Sequence, residues 1–256
     1  MKKIFSLAAC VALSANLFAD TITVGATPVP HAEILTEVAK ILKEQGHELK
    51  IVEFNDYVLP NLAVNDGELD ANFFQHKPYL DEFNNQKGTN LVSVQGVHLE
   101  PMGAYSKVIK NISELKEKAL VYIPNDPTNE SRALNILEKA GLIELDKNVE
   151  LKTPLDITKN PKNLEFKELE AAQLPRALEE CDLAVINSNY ALAANLNPTK
   201  DAVIIESKDS PYVNIVAVKK DNAESDKTKI LVKAISDEKI KAFIEEKYKG
   251  AIIPSF

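Results

Sequence analysis

The sequence predicts a two-lobed α/β fold: two α/β units in series, followed by a C-terminal strand and helices that return to the first unit. Three observations carry this. From Thr21 to Gly67 the chain alternates strand-like and helix-like stretches, the rhythm of a mostly parallel sheet covered on both faces. The same alternation restarts at Ala119. No fixed short period repeats, which argues against a solenoid, and no low-complexity linker parts the units.

The first 19 residues stand apart. Lys2 and Lys3 precede an uncharged, mostly apolar run from Ile4 to Ala19, the layout of a secretory signal and too short for a membrane span. Cleavage is expected after Ala19, which places the mature chain outside the cytoplasm, in the periplasm. Leu7-Ala-Ala-Cys10 is similar to a lipobox, so Cys10 is a candidate lipidation site and a lipid-anchored form is the alternative. The formal net charge of −8 becomes more negative once Lys2 and Lys3 are removed. An acidic chain of this kind is a poor partner for nucleic acid or an anionic membrane surface. Cys181 is then the only cysteine, which excludes an intramolecular disulfide. After Ala19 no apolar run approaches the roughly 18 residues of a membrane helix.

Thr21–Val24 is a short strand with Ile22 and Val24 on one face, closing at Gly25. The loop Ala26-Thr-Pro-Val-Pro30 leads into a helix whose Ile34, Leu35, Val38, Ile41 and Leu42 hold the 3.6-residue period until Gly46. Leu49–Phe54 is the next strand, and a helix from Asp56 to Val64 ends near Gly67. In the second unit Ala119–Ile123 is a buried strand, followed by a turn and a helix through Leu134, Ile136 and Leu137 that Gly141 closes. Leu183–Ile186 is a strand leading through Asn187-Ser-Asn189 into a helix over Tyr190–Leu196. Pro211–Val218 is a late strand, and helices from Ser225 to Lys249 break near Ser236-Asp237. The expected division is residues 20–106 for the first lobe, 107–212 for the second and 213–256 for the return. Ligands in such folds sit at the carboxyl ends of strands, here in the cleft between lobes. The loops after Val24, Ala71, Ile123 and Ile186 should surround it.

Familiar catalytic signatures are missing: no G-x-S-x-G, no G-x-x-x-x-G-K-[ST], no G-x-G-x-x-G. His31, His47, His76 and His98 lack the i, i+4 pairing of a zinc helix, and no metal or cofactor is expected. Cys181, just before a strand, reads as core. The turn Asn125-Asp-Pro-Thr-Asn-Glu-Ser-Arg132 is more informative. Pro127 suits a first helical turn, and Asp126, Thr128 or Asn129 could cap it. Arg132 then offers a forked donor for a carboxylate, or pairs with a nearby acid such as Asp126, Glu130 or Glu138. Asn187 and Asn214 lie in or beside apolar strands, where an amide needs a partner. In D-A-N-F-F-Q-H-K-P-Y-L, residues 70–80, Phe74, His76 and Tyr79 could join Tyr57 in an apolar slot with polar tips. Aromatic contacts to a thioether sulfur contribute about 0.3–1.5 kcal/mol each.

Four blocks together resemble one family: D-A-N-F-F-Q-H-K-P-Y-L, I-P-N-D-P-T-N-E-S-R-A-L, A-V-I-N-S-N-Y-A and D-S-P-Y-V-N-I-V-A-V. They resemble the NlpA/MetQ family, methionine-binding proteins of bacterial ABC importers, from about Thr21 to the C-terminus. The resemblance implies a periplasmic binding-protein fold of type II-like form that closes on one amino acid. It implies an aromatic slot of Tyr57, Phe74, His76 and Tyr79, a carboxylate-binding Arg132, polar Asn187 and Asn214, and Glu100 as an acidic position beside the site. It also implies crossovers between lobes around Gly103–Ser106 and Tyr212–Ile215. The implied partners are methionine and an inner-membrane permease with its ATPase, the receptor itself being a monomer without catalytic activity. Phe73 departs from a common tyrosine and Ser188 from a common glycine, and Cys10 is a weaker lipobox than many relatives carry.

Two alternatives stay open at this point. One is a receptor for a methionine-containing dipeptide or derivative. The other is an enzyme on the same scaffold, with His76 and Glu100 as its acid–base pair.

Overall fold

A computed structural model describes residues 20–256, so the expected signal segment and Cys10 lie outside the described residues. The chain opens with β1 (Thr21–Ala26), α1 (Glu33–Glu44), β2 (Glu48–Glu53), α2 (Leu59–Asp66), β3 (Ala71–His76), α3 (Lys77–Lys87) and β4 (Leu91–Leu99). It continues with β5 (Gly103–Tyr105), β6 (Leu120–Pro124), α4 (Pro127–Lys139), β7 (Glu144–Leu145), β8 (Ile157–Lys159) and β9 (Glu165–Leu169). Then follow α5 (Leu174–Ala177), β10 (Leu183–Ile186), α6 (Ser188–Ala193), β11 (Ile204–Ile205), β12 (Val213–Lys219), α7 (Asp226–Ile235), α8 (Glu238–Tyr248) and β13 (Ile253–Pro254).

The first lobe is a six-stranded sheet in the order β13-β4-β12-β3-β1-β2. β1 pairs parallel with β2 and β3, whereas β12 runs antiparallel between β3 and β4. Period 2 along β3 sends Phe73 into one core layer and Phe74 to the opposite face. The buried stripe of α1, Ile34, Leu35, Val38, Ile41 and Leu42, packs with Leu231, Ile235, Ile240 and Ile244 of the C-terminal helices. Those helices therefore complete the first lobe; Ser225 caps the first of them, and Asp237 caps the second at the break the sequence predicts. The other face carries Val64, Leu69, Leu80 and Leu91.

The second lobe is a five-stranded sheet, β11-β5-β10-β6-β9, with the β7–β8 hairpin beside it. β6, β9 and β10 are parallel, and Leu134 and Leu137 of α4 pack onto Val121, Ile123, Leu183 and Val185. Buried Cys181 joins Tyr105, Tyr122 and Ile186 on the far face, a core residue as expected.

Two differences from the sequence expectation matter for the site. β5 pairs antiparallel with β10 and β11, so Gly103–Tyr105 belong to the second sheet. The first crossing is thus Glu100–Met102 rather than Gly103–Ser106, earlier than a boundary at 106/107. The return crossing occupies 206–212, between β11 and β12. A three-residue strand whose partners are distant in sequence leaves no local signature of which sheet it joins. Tyr57 also lies ahead of its helix, not within it. The Asp56 carboxylate accepts from Val58 N and Leu59 N at 2.7 Å, which delays the helix to Leu59, and Gly67 in the left-handed region ends it.

Candidate functional site

β3, β4, β6 and β10 end, and β12 begins, at the face where the two sheets meet. A cavity of about 330 Å³ of space between atoms, part of it open to solvent, lies there. Its lining contains all the ligand-binding residues expected from the sequence: Tyr57, Phe74, His76, Tyr79, Glu100, Arg132, Asn187 and Asn214. It also contains Gln75, Asn129, Ser188 and Asn189, which the sequence reading did not assign to a site.

One wall is aromatic. Tyr57 lies 5.8 Å from both Phe74 and Tyr79, centroid to centroid, and Phe74 and Tyr79 meet edge-on at 6.1 Å. The Tyr79 hydroxyl donates to the Tyr57 carbonyl at 2.9 Å, and the Tyr57 hydroxyl crosses the cleft to Asn189 Oδ1 at 2.6 Å. Burial raises the Tyr57 phenol well above its ordinary range, so it acts as a donor. In the reverse direction the Tyr190 hydroxyl of α6 donates to the Asn55 carbonyl at 3.1 Å. These two bonds hold the lobes together beside the slot.

The polar floor has its donors and acceptors fixed by a chain of hydrogen bonds starting at Asp126. This residue caps α4, accepting from Asn129 N, and Asn129 Nδ2 donates to both of its carboxylate oxygens at 3.0 Å. Asn129 Oδ1 must therefore be the acceptor that faces the cleft. It receives Asn187 Nδ2 at 2.9 Å from its own lobe and His76 Nε2 at 3.0 Å from the other. His76 Nδ1 accepts from Tyr79 N at 3.1 Å as the cap of α3, so the single imidazole proton sits on Nε2. Asn187 Oδ1 is left buried without a partner among the described residues, an acceptor lining the cavity.

Arg132 is buried, and its partner is none of the neighbouring acids considered from the sequence. Glu206, in the return crossing, takes Arg132 Nε at 3.1 and 3.2 Å and also pairs with Nη2. Glu206 further accepts from Met102 N and Ser210 Oγ, both at 3.1 Å, and Arg132 Nη2 donates to the Glu100 carbonyl at 2.7 Å. The guanidinium lies over the Tyr212 ring, 4.3 Å from its centroid. One knot thus ties α4 to both crossings. The fork is spent on Glu206, and among the described residues only Nη1 has no protein partner.

Glu100 is held by two histidines: Oε1 lies 2.8 Å from His98 Nε2 and 3.1 Å from His31 Nε2. These three side chains offer potential ligand atoms within 4.8 Å of one another, and Glu100 Oε1 takes both imidazoles. His31 Nε2 is also 3.0 Å from Asn214 Oδ1, which supplies the partner that an amide inside β12 needs. His31 and His98 carry no local motif in the sequence, and only their long-range contacts reveal them.

Burial, followed by the positive charge of Arg132, lowers His76 to about 3, so it is neutral in the folded protein. An unfolded imidazole titrates near 6.5, so between these values the unfolded state binds the extra proton and stability falls as pH falls. Burial moves Glu130 the other way, up to about 7, with the opposite effect on stability over the same window. The His76→Gln variant separates the two. From pH 7 to pH 5 the wild type should lose about 2 kcal/mol of unfolding free energy relative to the variant, as measured by urea denaturation. Parallel profiles would rule out a neutral, buried His76.

Comparison with known proteins follows this geometry closely. The family model described as NlpA lipoprotein matches residues 22–256. The chain is 47% identical over 239 residues to the methionine-binding lipoprotein MetQ of Bacillus subtilis (strain 168), covering 91% of this chain and 87% of that protein. It is 44% identical over 225 residues to the D-methionine-binding lipoprotein MetQ of Escherichia coli (strain K12), covering 87% and 82%. Among solved structures, a nutrient binding protein from Burkholderia cenocepacia bound to methionine superposes with a TM-score of 0.90 at 47% identity, covering 92% of this chain and all (100%) of that one. With a matching fold, a match over nearly all the described residues and identities well above the level at which families diverge, the chain belongs to the NlpA lipoprotein family.

Proposed function

We propose that the cleft captures one free amino acid with a thioether side chain, methionine, and that the protein is the exported receptor that delivers it to a membrane permease driven by an ATPase. The observation that carries this reading is the meeting, in one interlobe cavity, of complementary polar groups and an aromatic slot. Arg132 Nη1 serves the ligand carboxylate, joined by the Asn214 amide, whose Oδ1 is held by His31. Asn187 Oδ1 and Glu100 serve the ammonium, and Tyr57, Phe74, His76 and Tyr79 take the side chain. A zwitterion entering a closed cleft loses water around both charges, at several kcal/mol per ion unless each is paired, and these groups pair both. Burying a methionine-sized side chain adds about 1.5–3 kcal/mol.

Binding fits the site better than catalysis does. His76 has both nitrogens engaged, by Asn129 and Tyr79, so it is not free to form an acid–base pair with Glu100. The names of the relatives, methionine-binding among them, support the same ligand. The apolar leader supports export, and Cys10 would supply a lipid anchor if it is modified. The receptor works as a monomer.

Mass spectrometry of small molecules released on denaturing the purified protein tests the ligand. Free methionine near one per chain, with tight rebinding on titration, is the expected result. A methionine dipeptide in its place, binding more tightly than the free amino acid, would overturn the ligand but keep the receptor. Turnover of the bound compound would overturn the receptor.

A further inference from the structure

We propose that His31 and His98 are positioning residues for ligand discrimination: they saturate one oxygen of Glu100, so that the other selects a ligand bearing a protonated α-amine. The proposal rests on the reading of the cleft as an amino-acid site. Both imidazoles are fully buried (0% exposed) and neither lines the cavity, whereas Glu100 does. Both Nε2 atoms converge on the same Glu100 oxygen, Oε1, at 2.8 and 3.1 Å.

The rings are held in place from behind. Phe73 meets His31 edge-on at 4.7 Å and His98 at 5.3 Å, and Thr27 Oγ1 bonds His31 Nδ1 at 2.7 Å. His98 Nδ1 is buried without a partner among the described residues. A proton there would be an unsatisfied donor, so the ring keeps its one N–H on Nε2, directed at Glu100. Burial favours this neutral form of His98. Burial would raise Glu100, but the two imidazoles beside it, His31 ahead of His98, outweigh this and hold the carboxyl below its ordinary range.

Glu100 is thus an ionised carboxylate whose Oε1 is occupied and whose Oε2 has no protein partner among the described residues. Arg132, the nearest guanidinium, touches only its backbone carbonyl. The single His31 Nε2–H is shared between Glu100 Oε1 and Asn214 Oδ1, which leaves the Asn214 amide nitrogen as a donor. One imidazole therefore sets an acceptor and a donor on adjacent parts of the cavity wall, matching the two ends of an amino acid. An acyl group on the ligand nitrogen removes the charge and leaves Glu100 buried against a neutral amide.

The test is calorimetric titration of the full chain with L-methionine and N-acetyl-L-methionine. The wild type should prefer methionine at least a hundredfold. His98→Leu should lower that ratio at least tenfold by weakening methionine binding, and His98→Gln, whose amide nitrogen can replace Nε2, should restore most of it. A purely structural role for His98 would weaken both ligands alike and leave the ratio unchanged, overturning the proposal. Should His98→Leu fail to fold, the wild-type ratio decides: N-acetyl-L-methionine within tenfold of methionine overturns it. Methionine failing to bind the wild type sinks the amino-acid reading and this inference together. Methionine binding with an unchanged ratio sinks this inference alone.

Discussion

Arg132→Ala should weaken methionine binding at least tenfold and destabilise the unliganded protein by about 3–5 kcal/mol. The two effects have different origins. Affinity falls because the cleft loses the Nη1 donor that faces the ligand carboxylate. Stability falls because Glu206 is left buried and ionised, without the guanidinium that now takes its oxygens through Nε and Nη2. A second variant separates them. Arg132→Met combined with Glu206→Gln removes both charges, and the glutamine oxygen can still accept from Met102 N. Replacing a buried ion pair with neutral groups of similar volume is often close to neutral for stability, so urea denaturation should show most of the loss recovered. Calorimetric titration should show the affinity still reduced. Unchanged methionine affinity in Arg132→Ala would remove Arg132 as the carboxylate partner, and recovery of affinity in the double variant would show that the loss came from structural damage.

The partner of Arg132 also marks where sequence reasoning reaches its limit. Helix α4 was legible, since Pro127 in its first turn, three adjacent cap candidates of which Asp126 is the one used, and Arg132 further along are local features. The acid that satisfies Arg132 is 74 residues away and meets it only because the return crossing passes behind the cleft. The aromatic slot was legible as a cluster of aromatic and polar residues in one stretch and through the family resemblance; the strand β3, whose period 2 separates Phe74 from Phe73, was not read from the sequence. Asn187 and Asn214 were legible as amides that needed partners, but not who those partners were. His31 and His98 were not legible at all, because a lone histidine in an apolar stretch looks the same whether it packs or positions. β4 was missed despite its nine residues. Its ladder with β12 is broken by register shifts, and the alternation that runs through Val92-Ser-Val-Gln95 changes phase at Gly96. The lobe boundary moved because β5 is too short to declare its sheet.

Asn129→Leu should weaken methionine binding by about ten- to a hundredfold, although no local sequence feature marks Asn129 as more than a capping candidate. Its Oδ1 accepts from two buried donors, His76 Nε2 and Asn187 Nδ2, and leucine of similar shape accepts from neither. Each donor left unsatisfied costs about 1–3 kcal/mol. Part of that cost falls on the closed, liganded form, because the bond to His76 is made between lobes and is lost when they part. Asn187 suffers further. Nothing then prevents its amide from turning over and pointing Nδ2 at the ligand ammonium, where the native chain presents the unpaired Oδ1. A loss of 1.4–2.8 kcal/mol in binding corresponds to the stated range. Asn129→Asp is the informative companion. It keeps an acceptor for both donors but places a second carboxylate beside Asp126, which favours protonation of His76. Its affinity for methionine should therefore vary with pH between 5 and 8 where the wild type is flat. Titrations of the three proteins across that range decide the matter. Wild-type affinity in Asn129→Leu would remove the residue from the site, and a pH-independent Asn129→Asp would mean that its bond to His76 does not set the charge of that ring.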